Sequence, residues 1–486
     1  MQMTQKRGRI LRGLRGVFQS HRGGAGTTGF TPVPLPDDGQ EFLKPTAAML
    51  EIDLRPARSG HTQALEYFRR AEAMDGEWRY REALDAYGAA RQAAESPLLL
   101  MAYGVASIMA SDLAQAATAF CDGIDVAEAR RNSGLAIALR INLGQVYSDL
   151  GDGCRSKQVL EEARSLSHST GKQNFEQTCH LRLGHLCFIH GVYDEADGHC
   201  DEVLQGSPLD QNTRAKALYL KAVISMVGGD LDATDASLEL GATSAEGATP
   251  SFVLVRLKAH LASLCQLRGQ VAAARMAAED ALSWSRRLGN RHGEARCMTL
   301  LTAIDQFAGG TDDQPFRESH ELDRQLGYER GIARSHLERS RIHLLRGQLE
   351  EARAAVWIAV KAATMSGHRA LYLETASSLT ALSADIDDDD KMVRLNQFAA
   401  ASRSTPLPSV EISILQHLGS VNLAAGRIAE AIQVYEAALR RSEEIGMQLG
   451  QSQILATLDR LAEQQGQGEA ATQYRQRADL VLPDAS

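Results

Sequence analysis

Small and apolar residues return at fixed places along the chain with a period of about 40 residues. Leu143, Gly144, Tyr147, Leu160 and Ala163 set the pattern; Leu183, Gly184, Cys187, Tyr193, Ala196 and Cys200 repeat it, as do Leu418, Gly419, Ile428, Ala431, Tyr435 and Ala438. Glycine gives the register. Gly151, Gly191, Gly229, Gly269, Gly309, Gly347, Gly426 and Gly466 are separated by 40, 38, 40, 40, 38, 79 and 40 residues, the doubled interval spanning a unit whose turn falls at the acidic stretch 385–390. A second ladder, Gly171, Gly289, Gly327, Gly367 and Gly446, follows the first by about 20 residues where both occur. Two glycines per period predict two helices of about 14 residues, each closed by a residue that takes left-handed φ without a Cβ penalty. Neither helix can bury its apolar face alone, so neighbouring pairs must stack.

The residues between the glycines resemble the tetratricopeptide (TPR) family. Gly144, Gly184 and Gly419 stand where a small residue lets the two helices of a hairpin approach closely. Trp78, Tyr80, Ala83, Tyr87 and Ala90 match the turn and second helix of an earlier unit, and Gly104, Leu113, Ala116 and Phe120 match another. The long repeat, with linkers such as RRLGNRHGEAR (286–296) and RQLGYERGIAR (324–334), is similar to kinesin light chains and the sensory arms of large bacterial transcription activators. The resemblance covers residues 61–482 and implies an all-α, right-handed α-solenoid of about eleven stacked antiparallel helix pairs, with degenerate units near 295–325 and 370–404. It further implies a protein-binding scaffold that holds a peptide or protein partner in a concave groove lined by the first helix of each pair.

Composition agrees with long helices. Hydrophobic residues make up 44% of the chain, aromatics 5%, and only 12 of 486 residues are proline. No run of 18 apolar residues and no cleavable leader is recognisable, and seven cysteines are spread along the chain as an odd number; both features point to a cytoplasmic protein with no disulfide framework. A net charge of −9 disfavours nucleic-acid binding by the repeat region.

Candidate chemistry is thin. Residues 179–200 hold three cysteines and four histidines, but Cys187 and Cys200 occupy packing positions of the repeat, and His180, His185, His190 and His199 do not share one helix face. GGAGTTGFT (23–31) lacks the lysine of a phosphate-binding loop, since Phe30 stands in its place. The run at Asp385 and Asp387 to Asp390 reads as a helix-capping turn. No catalytic residue, cofactor or metal is expected.

One pattern bears on binding. Lys216, Arg256, Arg296 and Arg334 recur at 40, 40 and 38 residues, at the place read as the second residue of four successive first helices, and the ladder stops near Glu374. Cations at a helix start oppose the helix dipole, so stability alone does not ask for them. In the resembled family that place faces the groove, where they would grip carboxylates of an acidic peptide; the alternative is simple solvation or pairing with an acid such as Glu294. The same phase adds Asn142, Gln145, Arg182, His185, Tyr219, Ser263 and Arg341 to the expected groove.

Residues 1–60 lie outside the repeat. Lys6, Arg7, Arg9, Arg12, Arg15 and Arg22 precede any acid, and Ile10, Leu11, Leu14, Val17 and Phe18 recur at helical spacing. A disordered basic tail with a proline-containing linker is the plainest reading; contact with an anionic membrane or nucleic acid, or an organelle-targeting peptide, stays open. For the whole chain, a non-enzymatic scaffold or adaptor leads. A ligand-sensing module acting on a separate transcription or signalling partner is the first alternative, and an enzyme with an unfamiliar site the second.

Overall fold

The computed structural model describes residues 30–34, 41–54, 60–76, 79–110, 112–150, 152–190, 192–247, 251–307, 314–326, 329–366, 369–404 and 407–481. Among them are 23 helices and one two-stranded sheet, divided into two compact units: residues 1–190 with 194–217, and 191–193 with 218–486. The fold is an all-α solenoid of helix pairs. No helix of the described residues is long and apolar enough to cross a membrane.

The first unit opens with β1 (Phe30–Pro34), β2 (Glu41–Pro45) and the short α1 (Ala47–Asp53). Four hairpins follow: α2 (His61–Gly76) with α3 (Tyr80–Ala93), α4 (Pro97–Met109) with α5 (Leu113–Ala129), α6 (Ser133–Asp149) with α7 (Gly153–Ser169), and α8 (Gln173–Ile189) with α9 (Tyr193–Gln205). Helix α10 (Gln211–Gly228) divides between the units after Ala217. The second unit continues with α11 (Leu231–Glu246), then α12 (Phe252–Leu267) with α13 (Val271–Leu288), α14 (Arg291–Phe307) with α15 (Gln314–Leu326), and α16 (Glu329–Leu345) with α17 (Leu349–Ser366). It ends in α18 (Arg369–Leu382) with α19 (Asp388–Ser404), α20 (Pro408–Ala424) with α21 (Ile428–Glu444), and α22 (Gln448–Gln464) with α23 (Gly468–Val481).

The repeat chemistry explains these bounds. Gly289, Gly426 and Gly446 adopt φ of 69°, 73° and 66°, closing helices in the left-handed region as the ladder requires. Asp112, Asn132, Asp152 and Asp230 cap the helices that follow them, each side chain accepting from a backbone N–H three residues on. Asp387 does the same inside the acidic run, accepting from Asp390 N at 2.8 Å. Within hairpins the small residues let large ones interlock: a Cβ at Gly144 would lie 2.6 Å from Leu160, and one at Gly419 2.7 Å from the Tyr435 ring. The stretches 295–325 and 370–404 fit the residue pattern poorly, yet their described residues form α14, α15, α18 and α19. Gly151, Gly191, Gly309, Gly327, Gly367, Trp78 and the basic stretch 1–29 lie outside the described residues.

The stretch 41–54 departs from the expected linker. Strand β2 pairs antiparallel with β1, Phe42 and Leu50 are completely buried in the first unit's core, and Thr46 caps α1. A local pattern could not show this, because the strand is held from α6, 99 residues away in sequence.

Candidate partner-binding face

Polar side chains link the first helices of successive hairpins into a seam. In the first unit Arg182 of α8 donates to Gln145 of α6 at 3.0 Å, and Gln145 donates to Asp149 at 2.9 Å. Arg182 and His185 are buried, and so is Asn142, one turn before Gln145 on the same face. Asn142 spends its whole amide on one residue of β2: Leu43 N donates to its Oδ1 at 2.8 Å, and its Nδ2 donates to Leu43 O at 2.7 Å. An extended main chain therefore lies across α4 and α6, the first helices of two adjacent pairs.

The residues beside Leu43 anchor that strand. Phe42 enters the core, while Lys44, itself buried, pairs with Asp75 of α2 and stands 5.0 Å over the ring of Tyr87 from α3. Tyr87 donates its hydroxyl to Asp75 Oδ2 at 3.1 Å; burial, then the Asp75 charge, pushes its phenol far above the ordinary range. Burial also raises the carboxyl of nearby Glu72, and Lys44 opposes that rise. Among the described residues, the buried Asp75 Oδ1 has no hydrogen-bond partner.

In the second unit the seam has four bridges. Tyr219 of α10 meets the ring of His260 edge-on at 5.0 Å, and Arg296 of α14 places Nη2 3.3 and 3.2 Å from the two ring nitrogens of His260. His260 Nδ1 lies 3.0 Å from the carbonyl of Arg256. Arg341 of α16 pairs with Glu338 and reaches Glu374 of α18; both carboxylates hold its guanidinium above its ordinary range. Ser378 of α18 meets His417 Nε2 of α20 at 2.9 Å, and burial, then Arg341, pushes His417 down to about 4.

Thus Tyr219, Arg256 and Arg296 converge on His260, and Gln145 joins Arg182. Arg334 is half-buried two turns before Arg341 on α16, Ser263 donates to Ala259 O on α12 at 3.1 Å, and Lys216 is half-buried within the first unit. The ladder sits deeper than its spacing suggested: α12 begins at Phe252 and α14 at Arg291, so Arg256 and Arg296 lie in the second turn, where the dipole penalty has faded. Glu294, the alternative partner for the ladder, pairs with Arg286 at 2.9 Å. His260, four residues after Arg256, lies on the same helix face but carries no repeat of its own in the sequence. Nothing local marks Leu43 or Lys44.

The histidine- and cysteine-rich segment behaves as core. Cys187 and Cys200 are buried, and burial, with Glu195 beside it, pushes the Cys187 thiol up to about 11. His180 and His199 face each other across α8 and α9 at 3.1 Å. Among the described residues no three His, Cys, Asp or Glu side chains gather to hold a metal ion.

The class that these observations define is a helix-hairpin solenoid with a polar first-helix seam. The tetratricopeptide repeat profile matches residues 412–445, and the helix-hairpin fold is similar to that of a solved Rap protein. A Rap protein complexed with competence and sporulation factor aligns over 71% of this chain and 97% of its own, with TM-score 0.54 and 11% identity. A signal transduction ATPase with numerous domains and a tetratricopeptide repeat sensor, from Pyrococcus horikoshii, aligns over 68% of this chain and 52% of its own, with TM-score 0.40 and 11% identity. The apo form of RapI aligns over 56% of this chain and 100% of its own, with TM-score 0.40 and 12% identity. At such identities likeness shows the fold alone. No curated protein sequence matches the chain.

Proposed function

We propose that this chain is a non-enzymatic scaffold whose first-helix face holds an extended segment of a protein or peptide partner. The carrying observation is the Asn142 clasp, because a side-chain amide that pairs with both the N–H and the C=O of one residue reads main chain and is indifferent to its sequence. In the second unit, Arg256 and Arg296 around His260 supply charge-assisted donors suited to carboxylates of an acidic segment. The Rap protein complexed with competence and sporulation factor offers a precedent for a solenoid of this fold holding a partner.

Cross-linking of the purified chain to its captured partner, read by mass spectrometry, tests this. Cross-links should concentrate on α4, α6, α8, α12, α14 and α16, and the Arg256→Glu/Arg296→Glu chain should lose those of α12 and α14 while keeping its helicity. Cross-links confined to the second helices, with capture unaffected by the double substitution, would reject the reading.

A further inference from the structure

The strand on the first unit's face has the chemistry of a bound ligand, contributed by the chain itself. Its anchors are of three kinds. The Asn142 amide takes the main chain of Leu43, Phe42 fills an apolar site, and Lys44 enters an acidic pocket of Asp75 and Glu72 roofed by Tyr87. An apolar side chain at 142 would fill the same space for a permanently packed strand, without a buried amide that must find partners. One carboxylate oxygen of Asp75 gains no hydrogen bond among the described residues, so the cis lysine leaves the pocket incompletely satisfied.

We infer that residues 41–45 are an intramolecular occupant of a peptide site, displaced by a partner segment that is extended and carries a large apolar residue followed two positions later by lysine. The inference rests on the first-helix reading above and deepens it. The first unit's ligand is thereby basic and apolar, whereas the second unit's cations suit an acidic one. Competition follows from the shared site: an external segment sees only the fraction of molecules from which the cis strand has lifted, and its apparent affinity falls by that fraction.

The test uses the full chain and a labelled synthetic peptide with the sequence of residues 39–48. Lys44→Glu weakens the cis strand without touching its acceptor, so the variant should bind the peptide at least about tenfold more tightly than the natural chain. Adding Asp75→Asn should abolish the gain, and a peptide with glutamate for its lysine should not bind. Hydrogen exchange on the natural chain gives a second readout that survives any folding defect of the variant: excess peptide should strip protection from the Leu43 amide. Unchanged Leu43 protection, or a folded Lys44→Glu chain with no gain in affinity, would overturn the inference. So would dimers of Lys44→Glu that ignore the peptide, since a second copy would then be the occupant. Partner cross-links still found on first helices would confine that failure to the inference, whereas their absence would remove the broader reading as well.

Discussion

At the scale of single residues, the same glycine-to-alanine change should have opposite signs at two helical positions, because one glycine is a packing requirement and the other is not. Gly419 lies inside α20, and its missing Cβ leaves room for Tyr435, whose ring atoms would otherwise be 2.7 Å away. That ring cannot swing aside freely, being buried and tied by its hydroxyl to Ser420 at 3.0 Å. Overpacking costs ~1–3 kcal/mol, which outweighs the ~1 kcal/mol gained by alanine in a helix. Among the described residues, nothing lies within 4 Å of the Cβ position of Gly198, inside α9. Gly198→Ala should therefore raise the urea midpoint by ~0.5–1 kcal/mol equivalent, and Gly419→Ala should lower it. Equal shifts in equilibrium unfolding would refute the close approach at Gly419.

Among the elements, hairpins were legible and their polar contents were not. The period of small residues marks Gly144 and Gly419 because helix contact is set by neighbours in the repeat, a few turns away in sequence. Strand β2 was invisible for the opposite reason: five residues carry too little alternation to specify a strand, and their anchors come from Asp75 and Asn142. The α15–α16 pair shows the same limit. His320 and His336, unremarkable in sequence, meet edge to face at 4.5 Å, and among the described residues neither ring nitrogen of the buried His336 has a hydrogen-bond partner. Burial, then His320, then Arg339 pushes His336 from 6.5 down to about 4. A depressed histidine binds its proton first in the unfolded chain, so its contribution is complete above about pH 6.5 and is lost as pH falls toward about 4. The loss amounts to at most ~3 kcal/mol. Urea unfolding followed across that window should show the decline, and His336→Leu should flatten it; an unchanged slope would place the titration elsewhere.

For the second unit as a whole, stability is more than the sum of adjacent hairpins. A solenoid ordinarily owes its stability to each pair and its neighbour interfaces. Here the turn after α10 also reaches the turn after α21. Val227 packs against the cluster of Leu373, Leu395, Ile414 and Leu418, and α12 packs against α22. Gly229, at φ +87°, approaches Ile445 so closely that a Cβ would stand 2.3 Å from its Cγ2. The seam residues His260 and Arg296, and Arg341 with Glu374, lie on helices between these two turns. A double-mutant cycle isolates it. Gly229→Ala alone suffers both the left-handed backbone strain and the clash, whereas in an Ile445→Gly background, which also removes the Cβ that would stand 2.6 Å away, it suffers the strain only. The two substitutions together should therefore cost less than their sum by ~1–3 kcal/mol. Distant sites add within ~0.5 kcal/mol, so additivity at that level would mean that the turns do not touch in solution and that the seam is held by neighbouring hairpins alone.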